Sequence, residues 1–242
     1  MSDPSASPFA PLLDIQAHDT HLDQLRHQRA TLPARDTVAR LEKELSLLAE
    51  QRSGVETERE ALTRSQRRLE DEVAALEAKA GEVHATLYGG TITSPRALQD
   101  LQAELDALRR RQGHLEDEII ELMELGEPFD AQLSELASQE AAVGADLATA
   151  RAELTAGEAE LDVAIDGEMT ERARSAAGLD PPLLAEYERL RRGLGGTGVA
   201  RFEGGRCLGC QLMLSAVERD RLKGLPPDAL VHCEECGRLL VR

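Results

Sequence analysis

Aromatic residues are nearly absent from this chain. They make up 2% of 242 residues, with three Phe, two Tyr and no Trp. A globular domain of that length normally builds its core around more of them, so a single conventional core is excluded. Long uncharged apolar runs are missing too, and with them any stretch approaching the ~18 residues of a membrane span. The first residues, Met1-Ser-Asp-Pro-Ser-Ala-Ser-Pro8, have neither the basic region nor the apolar core of a secretory signal. A cytoplasmic protein is expected. A phosphate-cradling glycine loop, a dinucleotide fingerprint and a placeable nucleophile–base pair are all lacking. The chain reads as a protein without enzymatic activity.

A basic surface is also wanting. The net charge is −17, which disfavours bulk nucleic acid and anionic membranes as partners. The acid is unevenly spread. Residues 199–242 carry seven Lys/Arg against six Asp/Glu, so the excess lies in residues 1–198.

What is present is a seven-residue rhythm. From Val38 the a positions are Val38, Leu45, Arg52, Arg59, Gln66, Val73, Ala80 and Leu87. The d positions, Leu41, Leu48, Val55, Leu62, Leu69, Leu76 and Val83, are all aliphatic. A repeat held this long predicts a left-handed coiled coil. It resumes downstream with Leu98, Leu105, Gln112, Ile119, Gly126, Leu133, Glu140, Leu147, Leu154 and Leu161 at a. Leu101, Leu108, Leu115, Leu122, Phe129, Leu136, Val143 and Ala150 stand at d. Between the two lies Tyr88-Gly-Gly-Thr-Ile-Thr-Ser-Pro95. Paired glycines stop one helix, and Ser-Pro starts the next. So short a connection forces an antiparallel return. Gly126-Glu127-Pro128 is expected to interrupt and kink the second arm. The hairpin satisfies its own seam, which favours a monomer.

The four cysteines form two pairs, Cys207-Leu-Gly-Cys210 and Cys233-Glu-Glu-Cys236, 22 residues apart. Each C-x-x-C can wrap a tight turn, with Gly209 and Gly237 supplying backbone freedom. Two such turns close a tetrahedral four-sulfur shell suited to one structural Zn²⁺, with no position open for catalysis. His232 is a weak competitor for that shell. Asp14, His18 and His21 have helical spacing that could bind a metal, but the reading preferred for them is a solvated helix face.

The expected organisation is mostly α: a long antiparallel coiled-coil hairpin followed by a small β zinc ribbon. Residues 1–9 form a disordered tail and 10–177 the hairpin with its tip at 88–95. Residues 178–198 form a junction helix and Gly-rich linker, and 199–242 the C4 ribbon. Strands are expected at Val199–Phe202, Ala229–His232 and Leu239–Val241, with a short helix at Ser215–Lys223. The linker Gly193–Gly198 should let little packing cross. Tyr88 and Ile92 are the expected protein-binding anchors at the tip. As an alternative, Arg201, Phe202, Arg206, Arg219, Arg221, Lys223 and Arg238 are the ribbon residues that would contact RNA or DNA.

Three segments carry a resemblance. They are Leu87-Tyr-Gly-Gly-Thr-Ile-Thr-Ser-Pro-Arg-Ala-Leu98, Leu183-Leu-Ala-Glu-Tyr-Glu-Arg-Leu-Arg191, and Gly205-Arg-Cys-Leu-Gly-Cys-Gln-Leu-Met-Leu214 with Cys233-Glu-Glu-Cys-Gly-Arg238. In this order the chain resembles bacterial coiled-coil proteins with a C-terminal C4-type zinc ribbon. The resemblance implies a kinked helical hairpin, a ribbon and no catalysis. Some relatives are linked to flagellar or type III export and to an alternative sigma factor, as adaptors or chaperone-like factors. A flagellin-transcript-binding role is also associated with the group. The polar a positions in the first arm depart from a uniform seam, and the resemblance does not account for them.

Overall fold

A computed structural model describes residues 8–226 and 228–242. The tail expected at residues 1–9 falls mostly outside them. Eight elements follow in order: α1 Ala10–Ala30, α2 Pro33–Tyr88, α3 Pro95–Ala176, α4 Pro181–Gly193, β1 Val199–Glu203, β2 Arg206–Cys207, α5 Ala216–Gly224 and β3 Leu239–Val241. The chain is a long coiled-coil hairpin with a small C-terminal three-stranded sheet, as the heptads and cysteine spacing predict. It divides into two compact units, residues 37–150 and residues 1–36 with 151–242.

Within residues 37–150 the heptad register holds. Every d position of both arms is buried or half-buried, and so is every a position except Arg52. Most of the polar a residues have partners across the seam; Gln66 instead donates to Glu70 of its own helix at 2.8 Å. Arg52 donates to Glu140, itself an a residue, at 3.0 Å. Arg59 forks onto Asp130 through Nε and Nη2 at 2.8 and 3.1 Å. Gln112 reaches Glu77 at 3.1 Å. These polar layers trade apolar burial for register. Two further arginines of the arms differ: Arg111 meets Glu72 across the arms at 3.9 Å, whereas Arg64 pairs with Glu60 of its own helix.

The expected interruption at Gly126-Glu127-Pro128 does not occur; α3 runs through Pro128 unbroken. Arg59 explains the tolerance. Its guanidinium lies on Gly126, where an added Cβ would stand 3.1 Å from Cζ, and it grips Asp130 just beyond the proline. The hydrogen bond lost to proline is small beside a seam that continues on both sides. At the tip, a Cβ on Gly89 would meet the Ala85 carbonyl oxygen at 2.7 Å, and Gly90 has φ +70. Both glycines are therefore required by the turn.

In the other unit a three-stranded sheet, ordered β2-β1-β3, separates two cores. β1 pairs antiparallel with β2 and parallel with β3. Strand alternation sorts the side chains. Val199, Leu239 and Val241 join Leu12 and Ile15 of α1 and Tyr187 and Leu190 of α4. Ala200 and Leu240 face the other way, onto Cys207, Leu214, Leu222, Val231 and Cys233. The expectation that little packing crosses Gly193–Gly198 is thus corrected. One reason is Gln16 of α1, whose side chain donates to the Gly196 carbonyl at 2.9 Å and accepts from the Gly198 N–H at 2.8 Å. Another is Gly198 itself, where a Cβ would lie 2.7 Å from the Tyr187 carbonyl oxygen. The glycines permit close approach here and do not serve as a free tether.

The strand expected at Ala229–His232 is only an isolated bridge from His232 to Leu239. The third strand is instead β2, reached from β1 through Gly204 and Gly205 at φ +61 and +82. Two consecutive positive φ values are what a tight two-residue hairpin demands. The helix expected at Ser215–Lys223 is α5, capped by Ser215 Oγ accepting from the Glu218 N–H at 3.1 Å.

Candidate metal centre

Cys207 ends β2, and Cys210 closes the turn after it. Cys233 and Cys236 form a second turn just before β3. The two turns share one hydrogen-bond plan. The Gln211 N–H donates to the Cys207 carbonyl at 2.9 Å, and the Gly237 N–H donates to the Cys233 carbonyl at 2.8 Å. Each donor residue is left-handed, Gly237 at φ +73 and Gln211 at φ +63. The freedom assigned to Gly209 therefore belongs to Gln211. Its side chain offsets part of the strain by donating to the Leu208 carbonyl at 2.7 Å. Gly209 is needed for closeness: a Cβ would meet Ala200 Cβ and Arg238 Cδ, each at 2.8 Å.

The four sulfurs all lie within 4.8 Å of one another. Cys207 and Cys236 are 3.9 Å apart, as are Cys210 and Cys233. A tetrahedron of sulfurs ~2.3 Å from a central ion has edges of about 3.8 Å. The cluster therefore fits one tetrahedral metal ion, and the separations exclude disulfides, whose sulfurs are ~2.05 Å apart. The surroundings sort the thiols. Burial pushes Cys207 up and takes Cys233 to about 12. Burial opposes ionisation of Cys236 too, but the Arg238 N–H and guanidinium, with the thiols of Cys233 and Cys210, bring it down to about 7. A bound cation would draw the remaining protons off, as thiolate ligation requires. His232 takes no part; its Nε2 lies 3.4 Å from Glu186 of α4.

The other sequence-derived site residues are scattered in role. Tyr88 is 67% exposed at the tip, its ring 4.6 Å from that of His84, and Ile92 is half-buried. Of the seven ribbon residues considered for nucleic acid, Arg201 and Arg206 are exposed and have no ionic partner among the described residues. Phe202 packs against the ribbon core. Arg219 is half-buried over Gly205. Arg221 donates to Glu218 at 2.6 Å and Lys223 to Asp220 at 3.2 Å. Arg238 donates to the carbonyls of Thr197 and Leu194.

Sequence reading missed a polar cluster between α1 and the end of α3. Asp14 is solvated as expected, but His18 and His21 both bind Glu168, at 2.6 and 3.0 Å. The histidine partners, His18 first, hold the Glu168 carboxyl below its ordinary value of 4.5. A lowered carboxyl favours the folded state above its unfolded pKa, and that share is lost as pH falls through the folded value. Glu168→Gln should therefore melt earlier than the parent at pH 7. The gap should close in melts taken progressively below pH 4.5. A gap that persists at low pH would mean the residue acts by packing alone.

Among the described residues no helix is long and apolar enough to cross a membrane. Residues 15–195 match the CT398-like coiled coil hairpin domain. An uncharacterized protein of Mycobacterium tuberculosis strain H37Rv is 33% identical over 231 residues, covering 96% of this chain and 94% of its own. A solved structure from Mycobacterium smegmatis is 28% identical with a TM-score of 0.69, covering 96% of each chain. The structure of CT398 from Chlamydia trachomatis shares the fold at 19% identity and a TM-score of 0.68, covering 96% of this chain and 95% of its own. With three quarters of its length under that model and a full-length relative at one-third identity, the chain belongs to the CT398-like coiled-coil hairpin family.

Proposed function

We propose that the protein is a non-enzymatic, cytoplasmic adaptor that binds protein partners through the hairpin tip, with a ribbon held by one structural Zn²⁺. The observation that carries this reading is Tyr88. An aromatic ring two-thirds exposed is unusual in a chain with five aromatic residues, and it sits where charge is sparse. Between Leu87 and Leu98 the only charged residue is Arg96. Tyr88 also borders a shallow hollow with Leu87, Leu98, Gln99 and Gln102. Rigid aromatic anchors next to small hollows are typical centres of binding energy. The zinc assignment rests on four soft thiolate donors in a closed shell, which suits structure and leaves no coordination site for substrate. Export components and an alternative sigma factor are the partner classes that the sequence resemblance suggests.

A second reading, RNA or DNA binding by the ribbon, draws on the free Arg201 and Arg206. It is weakened by the engagement of Phe202 and Arg238 in the fold. One affinity purification from cells separates the two. Tyr88→Ala with Ile92→Ala should lose most of the protein partners recovered by the parent. Unchanged partners would remove the tip from the argument. Recovered RNA that dissociates steeply between low and moderate salt would favour the ribbon reading.

A further inference from the structure

Away from the sulfur cluster and the tip, α1, the end of α3 and α4 enclose a cleft of about 420 Å³. Leu22, Met169 and Ala173 give it an apolar wall. Four arginines also line it, Arg26, Arg172, Arg191 and Arg192, against two carboxylates, Asp19 and Glu188. Such a concentration of guanidinium groups is out of character for a chain of net charge −17.

The acids present do not use up the cations. Asp19 is 3% exposed and already accepts from the Tyr187 hydroxyl at 2.7 Å and from Arg172 Nε and Nη2 at 2.7 and 3.2 Å. Glu188 accepts from Arg172 as well, at 3.2 Å. Arg191 spends its Nη2 on Asp23, at 2.6 Å, and on the Asp19 carbonyl. Its Nε is buried and has no hydrogen-bond partner; the nearest carboxylate oxygen, Asp19 Oδ2, is 3.5 Å away. Arg26 has only a loose ion pair with Asp23 at 3.8 Å, and Asp23 is already held by Arg191. Arg192 is exposed and has no acidic partner among the described residues.

The buried Arg191 Nε lies against Asp19 and is closed to a ligand in the cleft. The exposed guanidinium groups of Arg26 and Arg192 at the rim of the apolar hollow are the ones left for an anion. The planar arginine fork suits the oxygens of a carboxylate or a phosphate monoester. The thioether of Met169 adapts its shape to an apolar body. We infer that this three-helix cleft binds a small amphipathic anion: one carboxylate or phosphate group seated between Arg26 and Arg192, and an apolar body against Leu22, Met169 and Ala173. This site is independent of the adaptor reading, since neither the tip nor the cysteines enter it.

The test uses the full chain labelled with [methyl-¹³C]methionine. Its four methionines are Met1, Met123, Met169 and Met213, and among the described residues only Met169 lines the cleft. Titration with phenyl phosphate, and separately with phenylacetate, at low ionic strength should shift the Met169 methyl signal saturably. Met123 and Met213 should stay in place, and neutral benzyl alcohol should produce no saturable shift. The stronger of the two anions identifies the group preferred. Arg26→Gln with Arg192→Gln, both exposed positions, should weaken binding at least tenfold by calorimetry while leaving the melting temperature unchanged. The inference is overturned if Met169 fails to respond to either anion, if benzyl alcohol does as well, or if the double variant binds like the parent. Any of these would leave the cleft a structural ion-pair network only.

Discussion

Cys210→Ser is expected to strip the metal and loosen far more than the ribbon. A structural zinc contributes about 10–16 kcal/mol to small modules, comparable to or larger than the whole stability of a typical domain. In isolation the ribbon would unfold alone. Here Val199, Leu239 and Val241 complete a core with Leu12, Ile15, Tyr187 and Leu190, so α1 and α4 lose their cover when the sheet opens. Amide exchange should therefore accelerate in residues 10–30 and 181–193 together with 199–242. Residues 37–150 keep their own seam, and their protection should persist. Helical circular dichroism should fall in part, not collapse. Protection of α1 equal to the parent's, with the ribbon exchanging freely, would show that the shared core couples the two weakly.

Tyr187→Ala is the second large effect. Tyr187 is fully buried at the meeting point of α1, α4 and the sheet. Burial, reinforced by the Asp19 carboxylate, drives its hydroxyl well above the usual tyrosine range, so it stays a donor at any ordinary pH. Removing the ring costs about 3–5 kcal/mol in cavity and lost transfer energy. Tyr187→Phe isolates the polar share: losing a hydrogen bond to a buried carboxylate costs about 2 kcal/mol. Calorimetry should show the transition of the ribbon-bearing unit lowered in the order parent, Phe, Ala. Phe and Ala variants that melt alike would place the whole effect in the hydroxyl and none in the packing.

The contrast between these sites and the hairpin shows what a sequence discloses. Heptads and C-x-x-C pairs are local periodic signals, so the arms, the tip and the sulfur cluster were legible from spacing. Gln16 bonding to Gly196 and Gly198, or Asp19 meeting Tyr187, joins residues about 170–180 positions apart. No spacing rule predicts such pairs. A run of glycines looks like a tether whether it is loose or clamped, and only the tight approach of Gly198 to Tyr187 distinguishes the two. Gln211 was missed for a related reason. Positive φ is assigned to glycine by default, and a side chain can hold that conformation when it finds its own acceptor. Pro128 differs again: its local penalty suggested an interruption, and the long seam that carries α3 through it without a break is not a local signal.

The parallel pairing of β1 with β3 imposes an order of assembly during synthesis. α1 is translated before every other described element, yet Leu239 and Val241 of its covering core come from β3, the last of them. More than 200 residues must be translated between α1 and β3, at about 5–20 residues per second. Over that interval Leu12 and Ile15 have no sheet to pack on, whereas the 37–150 arms can zip together as soon as both have emerged. The arms are complete about 90 residues before β3, so the nascent chain carries a finished hairpin and an incompletely covered apolar helix for roughly 5–18 seconds. That is the window in which a chaperone would have α1 to grasp, and in which a stalled chain would be most exposed to degradation.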